Sequence, residues 1–233
     1  MTAARKVAVV GLGSMGYGIA QSCLRAGHSV LGVDVAPEPV ARFRADGGAE
    51  GDLATAAPTL DALVIVVLNA RQAESILFGT AGVATLLKPG AVVIVCATVP
   101  PEFAKSTAAR CAQEGLLYLD APISGGAAKA AEGKLSILAA GGAAAFDAAR
   151  PVLDAIAETV FEVGDAPGAG SAMKAVNQLL AGVHIATMAE ALTFGMTQGI
   201  SPERFLEVIS KCAGSSWMLE NRAPHVVDGD YTP

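Results

Sequence analysis

The chain has 233 residues, of which 52% are hydrophobic and only 5% aromatic, and its formal net charge is −6. This length allows one or two domains with a substantial core, and an acidic balance without a basic stripe argues against nucleic acid as a partner. The four cysteines lack the paired spacing of a zinc site or a disulfide framework, which favours a reducing compartment.

The N-terminal sequence passes from Met1 directly into a strand pattern at Lys6, so we expect no signal peptide. Polar residues and glycines interrupt the long apolar runs, which suits a protein core better than a membrane. We therefore expect a cytoplasmic protein with no membrane partner and no metal site.

The first two thirds of the chain alternates short β-branched runs with helical stretches. Strands are predicted at residues 6–10, 29–34, 62–68, 91–96, 116–120, 136–140 and 160–163, with a weak one near Ala49. Helices are predicted at about residues 16–26, 37–45, 53–56, 73–77, 101–114 and 146–157. Continuous apolar strands separated by helices indicate an α/β fold with a parallel sheet covered on both faces.

A long helix is predicted from Ser171 to Met196, within an apolar run that extends from residue 168 to about 199. The stretch has no proline, and good helix formers dominate it. It would be ~40 Å long at about 1.5 Å per residue. Few charges interrupt it, so we expect most of its circumference to be buried. A short helix at residues 202–210 follows.

A glycine motif follows the first strand and opens the first helix. Gly11 would permit the tight turn, Gly13 would let the backbone approach a pyrophosphate, and Gly16 would let the helix pack on the strand. The free amides of the helix N-terminus would hold the phosphates. The predicted cofactor-binding loop consists of Gly11, Leu12, Gly13, Ser14, Met15 and Gly16.

Asp34 stands at the end of the second strand, where its carboxylate would accept hydrogen bonds from ribose hydroxyls and repel a 2′-phosphate. Neither Val35 nor Ala36 is an arginine. This pattern favours NAD over NADP, and the alternative is a solvated residue at a strand end.

Two further groups of residues are suited to binding or reacting with a substrate. Ser124, Gly125 and Gly126 directly follow a predicted strand and would expose backbone amides and a hydroxyl to a carboxylate; the alternative is an ordinary turn. On the long helix, Lys174 lies on one face with two amides at i+3 and i+4, Asn177 and Gln178. The alternative there is a lysine near solvent at a helix end.

Taken together, the glycine motif, the Asp-x-Pro-x-Ser-Gly-Gly motif at 120–126 and the Gly-x-Gly-x-x-x-Lys-x-x-Asn-Gln motif at 168–178 resemble the β-hydroxyacid dehydrogenase family. That family includes 3-hydroxyisobutyrate dehydrogenases and tartronate semialdehyde reductases. The resemblance implies a Rossmann-type doubly wound domain at residues 1–164. It implies a long connecting helix and an all-helical second domain from residue 165 onward.

Family members continue with further helices, so the second domain is expected to be incomplete at residue 233. We expect a partner subunit, in a homodimer or homotetramer, or the missing segment to cover the apolar surface of the long helix.

The resemblance also implies roles for individual residues. Lys174 would be the catalytic acid/base, and residues 124–126 would hold the substrate carboxylate. Asn177 would bind the substrate hydroxyl, but many relatives carry their asparagine where this chain has Gln178. The division of roles between the two amides therefore stays open.

Three more residues are implied to face the nicotinamide: Leu68, Asn69 and Thr98.

Within the family, residues 176–184 and 216–222 resemble the L-threonate dehydrogenases. We therefore expect NAD-dependent oxidation of a small polar hydroxyacid resembling L-threonate. The alternatives are an NADPH-dependent reductase of the tartronate or succinic semialdehyde type, imine reduction on the same scaffold, and a non-catalytic dinucleotide-binding module. Lys174 argues against imine reductases, which tend to replace it.

Overall fold

A computed structural model describes residues 4–230 of the chain. Over this range the chain forms two compact units, the first ending at Lys174 and the second beginning at Ala175. The helix Ala169–Thr197 starts in the first unit and continues into the second. The division predicted after residue 164 stays a prediction.

The first unit contains an eight-stranded sheet. Its strands are β1 (Lys6–Val10), β2 (Ser29–Val33), β3 (Ala62–Ile65), β4 (Val92–Val95), β5 (Leu117–Asp120), β6 (Ile123–Ser124), β7 (Leu135–Ala140) and β8 (Ala157–Gly164). Their order is β2-β1-β3-β4-β5-β7-β6, with β8 paired to β7. Strands β1 to β5 run parallel to one another, which confirms the predicted fold class.

One end of the sheet departs from the parallel arrangement. Strand β7 runs antiparallel to β5 and β6, and β8 is parallel to β7. The chain passes from β5 through two residues into β6, and β7 then folds back along both. As a result β8 ends beside the end of β7, which in turn pairs with the end of β5.

Helices in the first unit connect these strands. They are α1 (Gly16–Arg25), α2 (Pro37–Ala45), α3 (Leu53–Ala56), α4 (Ala70–Phe78), α5 (Pro101–Gln113), α6 (Gly126–Glu132) and α7 (Ala143–Ile156). Alternate residues of β1 point into two different cores: Val7 packs with residues of α1 and α7, and Ala8 packs with residues of α4 and α5. The sheet is therefore covered on both faces, as continuous apolar strands predict.

The parallel strands end at the same level. The register pairs Val33 with Val10, Val10 with Ile65, Ile65 with Val95, and Val95 with Asp120. The loops that follow these residues therefore share the carboxyl edge of the sheet, the usual place for ligands in open α/β sheets.

Several predicted elements differ in extent. The strand predicted at 62–68 ends at Ile65, and the weak strand near Ala49 is a single bridge to Leu31. Strand β6 and helix α6 occupy a region for which no strand or helix was predicted.

The second unit consists of the continuation of α8 (Ala169–Thr197) with α9 (Pro202–Ile209) and α10 (Trp217–Asp228). Helix α10 was not predicted. A small core joins the three helices through Met188, Leu192, Phe205, Leu219 and Ala223.

Much of α8 is both apolar and exposed. Met173, Val176 and Leu179 are 46%, 54% and 67% exposed, and only 17% of the most apolar 18-residue window is buried. The expectation that most of this helix is buried is therefore wrong for the described residues. By length and composition alone α8 could cross a membrane, a test that the long core helix of a soluble protein also passes.

Candidate active site

The glycine loop between β1 and α1 contains two glycines that packing requires. Gly11 has φ +96°, and a Cβ there would overlap the carbonyl oxygen of Val66. A Cβ on Gly16 would overlap the carbonyl oxygen of Gly11. Gly13 is different, because a Cβ there would meet no protein atom within 4 Å. Protein packing therefore explains Gly11 and Gly16, whereas the space at Gly13 is available to a ligand.

The loop also offers unused hydrogen-bond donors. Within residues 4–230 the backbone N–H groups of Gly13, Ser14 and Met15 donate to no protein acceptor. They lie just ahead of the N-terminus of α1, where the helix dipole favours negative charge. Open amides beside an open Gly13 fit the pyrophosphate of a dinucleotide.

Asp34 follows β2 and holds the loop in place. Its Oδ2 accepts a hydrogen bond from the Leu12 amide at 2.6 Å, and its Oδ1 accepts one from the Ala36 amide at 2.9 Å. The alternative of a merely solvated carboxylate is therefore wrong. A carboxylate with further lone pairs beside the glycine loop also suits the ribose of the same cofactor.

A cleft of about 380 Å³ lies along the glycine loop, between α1 and α6. Its wall includes Tyr17 and Arg42, neither of which was predicted. The Arg42 guanidinium lies 3.8 Å from the centre of the Tyr17 ring, and the Tyr17 hydroxyl donates to Asp46 Oδ2 at 2.7 Å. Burial, together with the hydrogen bond to Asp46, raises the pKa of Tyr17. The only sequence signal for Tyr17 was its place next to the last glycine of the motif.

The three residues expected to face the nicotinamide follow β3 and β4 at the same edge. Leu68 is 86% exposed, and Thr98 is also exposed. Asn69 caps α4, with its Oδ1 accepting from the Gln72 amide at 3.0 Å. The structure thus brings all three to the edge that carries the glycine loop, and their contact with cofactor stays a prediction.

Residues 124–126 form the junction of β6 and α6. Ser124 pairs with Ser136 of β7 and is partly exposed. Gly125 and Gly126 have φ +136° and +80°, conformations that side chains rarely adopt. Helix α6 then packs on α1 so closely that a Cβ at Gly18 would lie 2.5 Å from the Ala131 amide nitrogen. This contact holds the junction beside the helix that the glycine loop opens.

Asp120, the last residue of β5, was not predicted as a site residue. It is fully buried, and its Oδ2 accepts hydrogen bonds from the amides of Gly168 at 2.8 Å and Ser171 at 2.9 Å. Its Oδ1 accepts from the Ser171 hydroxyl at 2.7 Å. The carboxylate therefore binds the first turn of α8.

Lys174 lies one helical turn after Ser171 and is only 7% exposed. Burial lowers its pKa from the ordinary value. Within the described part of the chain it forms no hydrogen bond or ion pair. The side chain is therefore mostly buried, and an amine of lowered pKa is suited to exchange protons; whether the amine lies near solvent at this end of the helix stays open.

Asn177 and Gln178 continue along α8 at i+3 and i+4 from Lys174. Both are exposed, and the Asn177 Nδ2 donates to the Gln178 Oε1 at 3.2 Å. Their substrate-binding roles stay predictions. No group of three or more His, Cys, Asp or Glu side chains suited to a metal ion occurs in residues 4–230.

Two family models match the chain. The NAD-binding domain of 6-phosphogluconate dehydrogenase matches residues 6–164. The NAD-binding domain of NADP-dependent 3-hydroxyisobutyrate dehydrogenase matches residues 168–233. Together they account for nearly the whole sequence.

Individual relatives are similar over most of their length. L-threonate dehydrogenase of Cupriavidus necator is 49% identical over 98% of this chain and 77% of its own. L-threonate dehydrogenase of Escherichia coli K12 is 47% identical over 97% of this chain and 76% of its own length. The crystal structure of a 3-hydroxyisobutyrate dehydrogenase from Salmonella typhimurium is 49% identical, with a TM-score of 0.92, and covers 98% of this chain and 80% of that one.

Proposed function

The chain belongs to the β-hydroxyacid dehydrogenase family, and on that premise we propose that it oxidises L-threonate, or a similar four-carbon sugar acid, with NAD as cofactor. The enzyme is a hydroxyacid dehydrogenase that uses a nicotinamide dinucleotide. Two relatives named L-threonate dehydrogenase, at 49% and 47% identity, support this choice of substrate. The observation that carries the proposed chemistry is Lys174 at the start of α8, which is buried and has no ionic or hydrogen-bond partner among residues 4–230.

The proposed acid/base is the amine of Lys174. Oxidation of a hydroxyacid requires removal of the hydroxyl proton while a hydride leaves the same carbon, and the bound nicotinamide ring supplies the hydride acceptor. A neutral amine can take the proton, and in the reverse direction the ammonium returns it. Burial lowers the pKa of Lys174 and so favours the neutral amine that can act as a base.

The proposed substrate cradle is the junction at residues 124–126. Ser124 is partly exposed, and the backbone adopts positive φ angles at Gly125 and Gly126. Hydroxyl and amide donors of this kind can hold a carboxylate. Asn177 and Gln178 would then contribute amide groups to the hydroxyls of a polar substrate.

The proposed preference for NAD rests on Asp34. Its carboxylate lies at the end of β2, and the neighbouring Val35 side chain is fully exposed and uncharged. A 2′-phosphate would meet the negative charge of Asp34 without an arginine at position 35 or 36 to pair with it. Arg42 on the cleft wall is the one observation that favours the second candidate, an NADPH-dependent reductase of short aldehyde acids.

The experiment is steady-state turnover of the intact protein against L-threonate, other four-carbon sugar acids, 3-hydroxyisobutyrate and tartronate, each with NAD and with NADP. We expect the highest kcat/KM for L-threonate with NAD. The substrate proposal fails if 3-hydroxyisobutyrate or another acid is preferred by tenfold or more. The cofactor proposal fails if NADP supports the higher kcat/KM.

A further inference from the structure

The carboxylate of Asp120 has no part in the chemistry proposed above, yet it binds the first turn of the helix that carries Lys174. It is fully buried and accepts three hydrogen bonds, two from backbone amides and one from a hydroxyl. All three donors belong to Gly168 and Ser171, at the first turn of α8. No basic side chain in residues 4–230 forms an ion pair with it.

A buried carboxylate needs strong partners, because removing its charge from water is costly. The first amides of a helix lack acceptors within the helix, and the helix dipole places partial positive charge there. Asp120 therefore gains its stabilisation from the start of α8, and α8 gains a fixed starting point on β5. The dependence is mutual.

The backbone of α8 also approaches the sheet closely at this point. A Cβ on Gly170 would overlap the carbonyl oxygen of Leu138 and lie 2.8 Å from the carbonyl oxygen of Asp120. Gly168 has φ +103°, which lets the chain turn from β8 into the helix. The first turn of α8 is thus in direct backbone contact with β5 and β7.

Lys174 follows Ser171 by three residues, about one turn of the helix. Since its amine contacts no hydrogen-bond acceptor among the described residues, no side-chain partner fixes its position. The placement of the helix backbone and the packing around the buried stem of the side chain set it instead. Small misplacements of a catalytic group can cost large factors in rate.

We propose that Asp120 is a positioning residue, which clamps the first turn of α8 through Ser171 and Gly168 and thereby sets the position of the Lys174 amine. This inference rests on the proposed function, because it requires Lys174 to be the acid/base. Ser171 is the second member of the clamp, since its hydroxyl and its amide both bind the same carboxylate.

The test compares Asp120→Asn and Ser171→Ala with a matched control, Asp61→Asn. Asp61 precedes β3 at the opposite edge of the sheet, and it also accepts a backbone amide, that of Lys6 at 2.8 Å, and a side chain, that of Lys88 at 2.6 Å. The readouts are NADH affinity by fluorescence, and kcat and KM for the best substrate of the panel, expressed per NADH-binding site. Each variant is also made in a Lys174→Ala background.

We expect Asp120→Asn to lower kcat about 3- to 10-fold. Its Oδ1 can still accept from both backbone amides and its NH₂ can donate to the Ser171 hydroxyl, so the variant weakens the clamp through the loss of the carboxylate charge. Ser171→Ala keeps both amide bonds and should lower kcat roughly 3- to 10-fold. In both variants NADH affinity should stay within about twofold of wild type, because neither residue belongs to the glycine loop. The control Asp61→Asn should keep kcat within about twofold of wild type. In the Lys174→Ala background, Asp120→Asn should change kcat by less than about twofold, because residues that act as a unit are not additive.

The outcomes separate the two proposals. If Lys174→Ala alone leaves kcat nearly unchanged, the proposed acid/base is wrong and the clamp has nothing to position. If Lys174→Ala lowers kcat but Asp120→Asn lowers it by the same factor with and without Lys174, the clamp proposal is overturned. If Asp120→Asn does not fold, Ser171→Ala decides the question by the same comparison. An unchanged kcat in Ser171→Ala would then contradict the clamp.

Discussion

At the scale of single residues, the proposed mechanism depends most on Lys174. Replacing it with alanine should lower kcat roughly 10²- to 10⁴-fold, the usual range for loss of a positioned acid/base. Lys174→Arg should recover little of this, because a guanidinium stays protonated and cannot take the hydroxyl proton. NADH binding should persist in both variants. The measurement is kcat per NADH-binding site, and a Lys174→Ala enzyme within a few-fold of wild type would show that another group does the chemistry.

Gly13 and Gly16 should respond differently to the same change. Gly13→Val places its side chain in open space, so the fold should survive while the pyrophosphate loses its room. Gly16→Val would force a Cβ into the Gly11 carbonyl oxygen and should disrupt the loop itself. Thermal unfolding and NADH fluorescence, measured together, distinguish these effects. Normal NADH binding by Gly13→Val would mean that the cofactor does not approach this loop.

Asp34 should determine the choice between NAD and NADP. In Asp34→Ser combined with Val35→Arg, the repulsive carboxylate is replaced by a small hydroxyl, and an arginine occupies a fully exposed position. NAD affinity should fall about tenfold, a typical effect of losing charged hydrogen bonds, and NADP affinity should rise. Val35→Arg alone is the control, since it keeps the Asp34 bonds to Leu12 and Ala36. Equal NAD affinity in the double variant and wild type would refute the assignment.

At the scale of elements, the start of α8 should tolerate no side chain at Gly170. Gly170→Ala would push a methyl group into the Leu138 carbonyl oxygen and should cost about 1–3 kcal/mol, as overpacking does. In a protein of this size that lowers Tm by roughly 2–12 °C. Gly182→Ala is a control in the same helix, because its Cβ meets open space. It should leave Tm unchanged or raise it through better helix propensity. Equal Tm values for the two variants would show that α8 does not dock through Gly170.

The elements that could be predicted from the sequence are those with a strong local signal. Strands β1 to β5 are mostly buried on both faces and mostly apolar, and the glycine motif marks the turn into α1. Helix α6 gave a weaker signal, since the glycines at 125 and 126 are typical of a turn and here also begin a helix. Helix α10 contains Pro224, which usually argues against a helix interior. Its Ser216 cap, which accepts from the Leu219 amide, was the signal that could have identified it.

In the candidate site, too, only residues with a local sequence signal could be predicted. Asp34 could be predicted because its distance from the glycine motif is fixed by a β-α-β unit. Asp120 could not, because its partners Gly168 and Ser171 lie 48 and 51 residues away and only the path through β7 and β8 brings them together. The apolar character of α8 predicts burial over most of its circumference. Lys174 is buried, but its apolar neighbours Met173 and Val176 are exposed, so hydrophobicity alone did not identify which side chains of the helix are covered.

At the scale of the whole molecule, the enzyme should lose stability through the same lysine on which its activity depends. The side chain of Lys174 is only 7% exposed, and its amine has no hydrogen-bond partner among residues 4–230, so burial disfavours its charged form. Lys174→Met keeps a similar length and removes the charge. This variant should be inactive yet more stable at pH 7, with Tm higher by about 2–4 °C, the shift that ~1 kcal/mol produces in a protein of this size. Such an exchange of stability for function is common at active sites.

The difference in the free energy of unfolding between wild type and Lys174→Met should depend on pH, in a direction fixed by the pKa of Lys174. Burial lowers the pKa of Lys174 in the folded protein below 10.5, the ordinary value that applies to the unfolded chain. At any pH between the folded-state and unfolded-state pKa values, the unfolded chain therefore binds more protons than the folded one. The free energy of unfolding of the wild type therefore rises with pH in that interval relative to Lys174→Met. Urea unfolding of both proteins at several values from pH 7 to pH 10.5 should show the advantage of the variant shrinking. Lys134→Met is the control, because the exposed Lys134 pairs with Glu132 and its pKa is raised rather than lowered. A constant difference between wild type and Lys174→Met across this range would mean that Lys174 is not held in its buried position in solution.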